Sequence, residues 1–213
     1  LSKDWPSFFT TLQRIRYKNG QIGVLTRNHY TESDWDVNNA WLVEDINEEL
    51  TPKHIWYEQK VDRARMFKKR YDIDTNIPVE DFRTAYIPAE EIMNIADQLQ
   101  HGDLVNVVRG RNGGKWVGHV GLITVSEDGT RNMLHSTPPN VVELPLADYV
   151  QGNVDRNAKR REEGKTEFYG LKFLRLQDDP LANLREIDGP DAPRILAPDG
   201  GLIGGPRLMT DGE

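Results

Sequence analysis

No cysteine occurs among the 213 residues. That absence excludes disulfides, thiolate metal ligands and a cysteine nucleophile within this chain. No run approaches the roughly 20 consecutive apolar residues that a membrane-spanning helix needs, so no transmembrane segment is expected. Basic residues are the minority, 27 against 34 acidic ones, leaving a net charge of −7. A protein that tracks nucleic-acid phosphates presents a basic face, so DNA and RNA are not expected partners. The sequence opens Leu1-Ser2-Lys3-Asp4 without Met, and no charged stretch leads into an apolar run, so no signal peptide is read. What remains is 37% hydrophobic residues at a mean hydropathy of −0.66, a polar chain that can still fold as one domain.

Helical spacing marks the first segment, where Trp5, Phe8, Phe9, Leu12 and Ile15 recur, and Trp5, Phe8 and Phe9 read as core. Asp4 is placed to cap this helix and Pro6 to occupy its first turn. Residues 21 to 57 lack regular period and are rich in Trp, Asn and Asp, as a long structured connection would be. Val61 to Tyr71 carries Arg63, Arg65, Lys68, Lys69 and Arg70, the pattern of a solvated helix face. Pro88 opens an amphipathic helix through Leu99, with Ile92, Ile95, Ala96 and Leu99 on one stripe.

Strand signals then dominate. Residues 104–108, 116–125, 131–136, 141–144 and 171–176 are short, β-branched and bounded by Gly, Pro or Asp. Asp155 to Glu167 is crowded with charges of both signs and reads as an exposed excursion. From Asp178 on, 11 of 36 residues are Gly or Pro, so residues 178–213 read as a tail appended to a domain of residues 1–177. Helices first and an antiparallel sheet afterwards predict an α+β fold, N-terminal helices packed on a small antiparallel sheet.

Two of the five histidines flank one predicted hairpin, His119 in Gly118-His119-Val120-Gly121 and His135 in Leu134-His135-Ser136. A two-residue Asp128-Gly129 turn would send them to opposite faces. A three-residue turn, Glu127-Asp128-Gly129, opposes residues 121 and 135 and makes His119 a diagonal neighbour on the same face, about 7–8 Å away. Gly129 suits the left-handed position of that longer turn. Same-face histidines suit acid–base work, since imidazole titrates near neutrality and a second polar group can fix its tautomer. Two structural histidines on a sheet are the alternative.

Several other features read as structural. Asp103, between a helix and a strand, is placed to tie down turn amides. Arg109 to Lys115 lacks the spacing of a phosphate loop and reads as a hairpin connection. A metal site built from His119, His135 and His29 or Asp103 has no His-x-x-x-His or His-Glu-x-x-His spacing behind it, so no metal is expected.

Gly102-Asp103-Leu104-Val105, Gly118-His119-Val120-Gly121-Leu122 and Leu134-His135-Ser136-Thr137 resemble the NlpC-type cell-wall hydrolases of the papain-like superfamily. Residues 15–20 (Ile-Arg-Tyr-Lys-Asn-Gly), Arg27-Asn28-His29-Tyr30, Trp35 with Asn38-Asn39, Tyr86-Ile87-Pro88, Tyr149 and residues 171–175 resemble one branch more closely. That branch is the N-acetylmuramoyl-L-alanine amidase-like family, or domain of unknown function 1460, and the similarity runs from about Leu12 to Leu176.

The resemblance implies a papain-like NlpC-type fold and hydrolysis of a peptidoglycan amide in the bacterial periplasm or envelope. It implies His119 as general base and His135 as the group that orients it. Asn28, His29, Tyr30, Trp35 and Asn39 border the cleft in this reading, as binders of glycan or stem peptide; a rigid, self-satisfied loop is the alternative. No cofactor is implied. The family's nucleophile opens a helix before the Ile-Arg-Tyr segment, so its cysteine is expected upstream of Leu1, and these 213 residues are not expected to catalyse alone. A stem-peptide endopeptidase and a non-catalytic peptidoglycan-binding relative are the alternatives.

Overall fold

A computed structural model describes residues 4–188 and divides the chain into two compact units. The first comprises residues 1–43 and 177–213, the second residues 44–176.

In the first unit, α1 (Trp5–Arg16) starts as its sequence dictates. The Asp4 carboxylate accepts from the Ser7 N–H at 2.8 Å while the Ser7 hydroxyl accepts from the Asp4 N–H, a reciprocal cap. Its aromatic stripe behaves otherwise than predicted. Trp5, Phe8 and Phe9 are 72%, 44% and 60% exposed, so they are not core. They pack on one another instead, with ring centroids 5.5–5.9 Å apart, and self-contact replaces burial. The connection expected over residues 21–57 contains regular structure, including a six-residue π-helical segment at Thr31–Asp36. Trp41 and Leu42 are buried. Leu42 O accepts from the Gln177 N–H at 3.0 Å, and Trp41 O from the Asn183 amide at 3.3 Å. That second contact comes from α7 (Pro180–Asp188), a helix at the start of the predicted tail; residues 189–213 lie outside the described residues.

The second unit is α+β. Its elements are β1 (Val43–Asp45), α2 (Asn47–Leu50), β2 (Ile55–Val61), α3 (Arg63–Tyr71), β3 (Glu80–Pro88) and α4 (Ala89–Ile95). Then come β4 (Leu104–Arg111), β5 (Gly114–Val125), β6 (Arg131–Thr137) and β7 (Asn140–Pro145). It closes with α5 (Leu146–Asp155), α6 (Asn157–Glu162) and β8 (Glu167–Leu176). The sheet order is β2-β3-β8-β4-β5-β6-β7, with β1 pairing to β8 off this path, and every registered pair is antiparallel.

The sheet is larger than expected. β2 and β3 pair through seven positions, and neither was predicted, because their faces carry Glu58, Lys60, Asp81 and Arg83 in place of a clean apolar alternation. The helix expected over residues 88–99 is α4 followed by a 3-10 turn at Ala96–Gln98, and Ile92, Ile95, Ala96 and Leu99 are buried as the spacing predicts. The charged excursion at 155–167 holds α6.

One face of the sheet makes the core. Val105 and Val107 of β4, Ile123 of β5, Met133 of β6 and Leu171 and Phe173 of β8 are fully buried. They pack with Ile92 and Ile95 of α4 and with Leu146, Tyr149 and Val150 of α5. α5 leaves β7 directly at Pro145, which delivers Tyr149 over the strands. Asp103 is buried and structural: it accepts a two-pronged pair from Arg175 at 2.7 and 2.8 Å and the Gln100 N–H at 2.8 Å.

Candidate active site

The β5–β6 turn decides where the two histidines point. Val125 pairs with Arg131, the Ser126 N–H donates to Thr130 O at 3.0 Å, and Gly129 takes φ +86°. Residues 127–129 are therefore the connection, and the longer of the two predicted registers is the one found. From that turn the ladder runs to Leu122–Leu134 and ends. Past its end the side chains meet directly, with His119 Nε2 3.0 Å from His135 Nδ1 and the rings edge-on at 5.0 Å.

A bulge shapes the neighbouring wall. Val107 pairs with His119 but Val108 with Val117, leaving Gly118 as an extra residue in β5. A Cβ on Gly118 would stand 3.0–3.3 Å from three carbons of the Arg109 side chain, so the glycine makes room for that arginine. Arg109 Nη2 donates to Asn153 Oδ1 at 3.0 Å, and the Asn153 amide donates to Tyr149 O at 2.8 Å. The Tyr149 ring packs against His135 at 5.2 Å between centroids. Strand β4 and helix α5 thus converge on the histidine pair.

Burial holds the His119 imidazole below its ordinary value, and the nearby His135 and Arg109 push the same way. Burial also lowers His135. Both rings are therefore biased toward the neutral form that a base and its hydrogen-bond acceptor require. Burial raises the Tyr149 phenol and lowers the Arg109 guanidinium, while the two groups' mutual attraction opposes both shifts. The Tyr149 hydroxyl and Arg109 Nη1 are buried, and beyond their attraction for one another neither makes a well-formed hydrogen bond among the described residues. Beside them opens a cavity of about 320 Å³, lined also by Arg156, Arg160 and Thr137.

Of the predicted site residues, His119 and His135 come together in the second unit. Asn28, His29, Tyr30, Trp35 and Asn39 belong to the first and are held in a bonded loop. The Asp34 carboxylate accepts the backbone N–H groups of His29 and Tyr30, each at 3.0 Å. The Asn28 and Asn39 amides donate to Ile15 O at 3.0 Å, Asn39 also to Trp35 O, and His29 Nε2 lies 2.8 Å from Val24 O. The described residues contain no group of three or more His, Asp or Glu side chains arranged for a metal ion.

The three arginines of the cavity, and Asn153 beside them, are not singled out by the sequence reading. Arg109 lies two positions past Val107, so strand period already set it on the core-facing side, a signal hidden by its place beside the hairpin glycines. Arg156 and Arg160 sit one helical turn apart within a charged stretch, and nothing in the sequence separates them from their exposed neighbours.

The site is thus a histidine pair lining a cationic cavity in an antiparallel α+β unit. Residues 1–155 match the AmiA-like family, described as N-acetylmuramoyl-L-alanine amidase-like, and the chain belongs to that family. Among solved structures, a Legionella pneumophila protein assigned to domain-of-unknown-function family 1460 aligns at 18% identity and TM-score 0.61, covering 78% of this chain and 67% of its own. A Bacteroides fragilis protein described as a candidate xylanase aligns at 24% identity and TM-score 0.56, covering 79% and 74%. Both likenesses are of fold. No curated protein is significantly similar in sequence.

Proposed function

We propose that this chain supplies the base and orienting half of a cysteine hydrolase that cleaves an amide bond of peptidoglycan, within a papain-like NlpC-type architecture. The bond between the lactyl group and L-alanine is the one the family description points to. The observation that carries this reading is the 3.0 Å contact between His119 Nε2 and His135 Nδ1. It occupies one nitrogen of His119 and leaves Nδ1 for a nucleophile.

The proton transfers follow once His119 is assigned as the donor in that contact. His119 Nε2–H donates to His135 Nδ1, so His135 is the neutral tautomer protonated on Nε2. His119 Nδ1 then accepts the proton of a thiol carried upstream of Leu1, and the thiolate attacks the amide carbonyl carbon. Collapse of the tetrahedral adduct breaks the C–N bond as His119 returns the proton to the leaving amine. Water, deprotonated by the same Nδ1, attacks the thioester, releasing the carboxylic acid and regenerating the thiol. Such a reaction belongs at the bacterial envelope, where its substrate is.

The absence of cysteine from these 213 residues favours one second reading, a non-catalytic peptidoglycan-binding protein. The test is to express the protein with its natural upstream sequence and incubate it with purified muropeptides. The hydrolase reading expects cleavage that iodoacetamide and His119→Ala each abolish. Cleavage indifferent to both overturns it. No upstream cysteine together with intact muropeptides overturns it in favour of the binding protein.

A further inference from the structure

Three arginines gather at the cavity with no carboxylate among its lining residues, whereas several other arginines of this chain are ion-paired. Arg63 pairs with Glu80, Arg161 with Glu167 and Arg175 with Asp103. Arg109, Arg156 and Arg160 form no ion pair among the described residues. Arg109 donates to a neutral amide, Arg160 to the Thr166 carbonyl at 3.3 Å, and Arg156 to no side chain. No Asp or Glu lines the cavity. Three like charges gathered without a counter-ion repel one another and raise the local potential for an anion.

Two further groups point the same way. Arg109 Nη1 and the Tyr149 hydroxyl are buried there and interact with one another without a well-formed hydrogen bond, and Tyr149 is only 6% exposed. A buried donor held by a poorly formed bond is costly, and one bound anion would accept from both. His119 and His135 line the same cavity, so whatever it holds lies beside the reacting groups.

We propose that this cavity binds a carboxylate of the substrate, so that the site selects stem peptides whose glutamyl α-carboxyl is free over those in which it is a carboxamide. This rests on the peptidoglycan reading of the site. Guanidinium groups recognise carboxylates through paired, charge-assisted bonds, and a carboxamide offers one oxygen, no charge and a competing donor. The cavity's volume lies at the small end of the range for ligand sites, which suits one amino-acid-sized acid.

The test needs no turnover. The 213-residue protein is titrated calorimetrically with N-acetylmuramoyl-L-alanyl-D-isoglutamate and with the isoglutamine compound that differs only in the carboxamide. The acid is expected to bind at least about tenfold tighter, with an advantage that shrinks as salt rises. Arg156 is exposed, so Arg156→Gln and the double variant with Arg160→Gln should keep the wild-type melting temperature. In them the acid should fall toward the affinity of the carboxamide. Equal binding of the two compounds, binding of neither, or full discrimination in a folded double variant overturns the proposal. So does inorganic phosphate or free glutamate binding as tightly as the acid, which would mark a general anion site. If the acid is preferred while the protein with its upstream sequence leaves muropeptides intact, the carboxylate site stands and the hydrolase reading falls. Cleavage of both compounds at equal rates and affinities has the opposite meaning.

Discussion

His119 Nε2 faces His135 Nδ1 at 3.0 Å, and that contact decides which nitrogen of His119 remains free for chemistry. Nδ1 is the free one, and in the proposed reaction it is the atom that takes the thiol proton. In the protein bearing its nucleophile, His119→Ala is expected to lower turnover of muropeptides by about 10²–10⁴-fold, the range for a general base. Unchanged turnover would remove His119 from the reaction.

The proposed role of His135 is to act through an acceptor atom, so the choice of replacement matters. Asn carries a carbonyl oxygen near the position of imidazole Nδ1, while Ala carries nothing. His135→Ala should cost roughly 10-fold to 10⁴-fold in kcat and His135→Asn much less, as for other groups that orient a catalytic imidazole. Steady-state rates of the two variants, compared at matched stability, settle it; equal losses would mean that ring packing against Tyr149 is what counts.

Acid should weaken this fold through the same pair. Both imidazoles sit below the ordinary value of 6.5 when folded, so the unfolded chain binds more protons in the window beneath it. Stability from this source is complete above about pH 6.5 and is lost as pH falls through the folded values. Thermal melts between pH 7.5 and 5.5 should show a larger drop for the wild type than for the His119→Gln, His135→Gln double variant. Identical drops would show that neither ring is kept neutral by burial.

Gly121 is the last residue before the β5–β6 ladder opens. A Cβ there would lie 2.4 Å from Met133 Cε and 2.8 Å from Leu134 O. The methionine can swing aside but the carbonyl belongs to the sheet, so Gly121→Ala should destabilise by about 1–3 kcal/mol. It should also spread the strands that carry His119 and His135. A denaturant midpoint equal to that of the wild type would contradict the close approach.

Asp103 is 2% exposed and holds Arg175 through two bonds. Asp103→Ala leaves that guanidinium and the Gln100 N–H without their acceptor. Breaking a buried pair by removing one partner costs about 3–5 kcal/mol, and the lower end applies because Arg175 keeps about a fifth of its side-chain surface in water. Urea unfolding checks the value, and a loss under about 1 kcal/mol would mean that water replaces the carboxylate.

Much of this was legible in the sequence because it rests on local rules. The Asp4 cap, the inward stripe of Ile92, Ile95 and Leu99, the five later strands and the Gly129 turn each depend on residues near one another in the chain. The two histidine motifs were legible too, through period-two alternation and a glycine that sets the turn. β2 and β3 were not, since charged side chains on both disguise strands that are held by their partners. The aromatic stripe of α1 shows the converse: spacing establishes that Trp5, Phe8 and Phe9 share a face, while exposure depends on what the rest of the chain sets against it.

By itself, then, the sequence determined the α+β class, the candidate histidine pair and the lack of a thiol in this chain. Tertiary structure alone decided that His119 and His135 touch. It also decided that Arg109, 44 residues from Asn153, meets it beneath them, and that Arg156 and Arg160 share one cavity with both. Hydrogen bonds across such separations depend on strand order, a bulge at Gly118 and the docking of α5, and no local spacing encodes them.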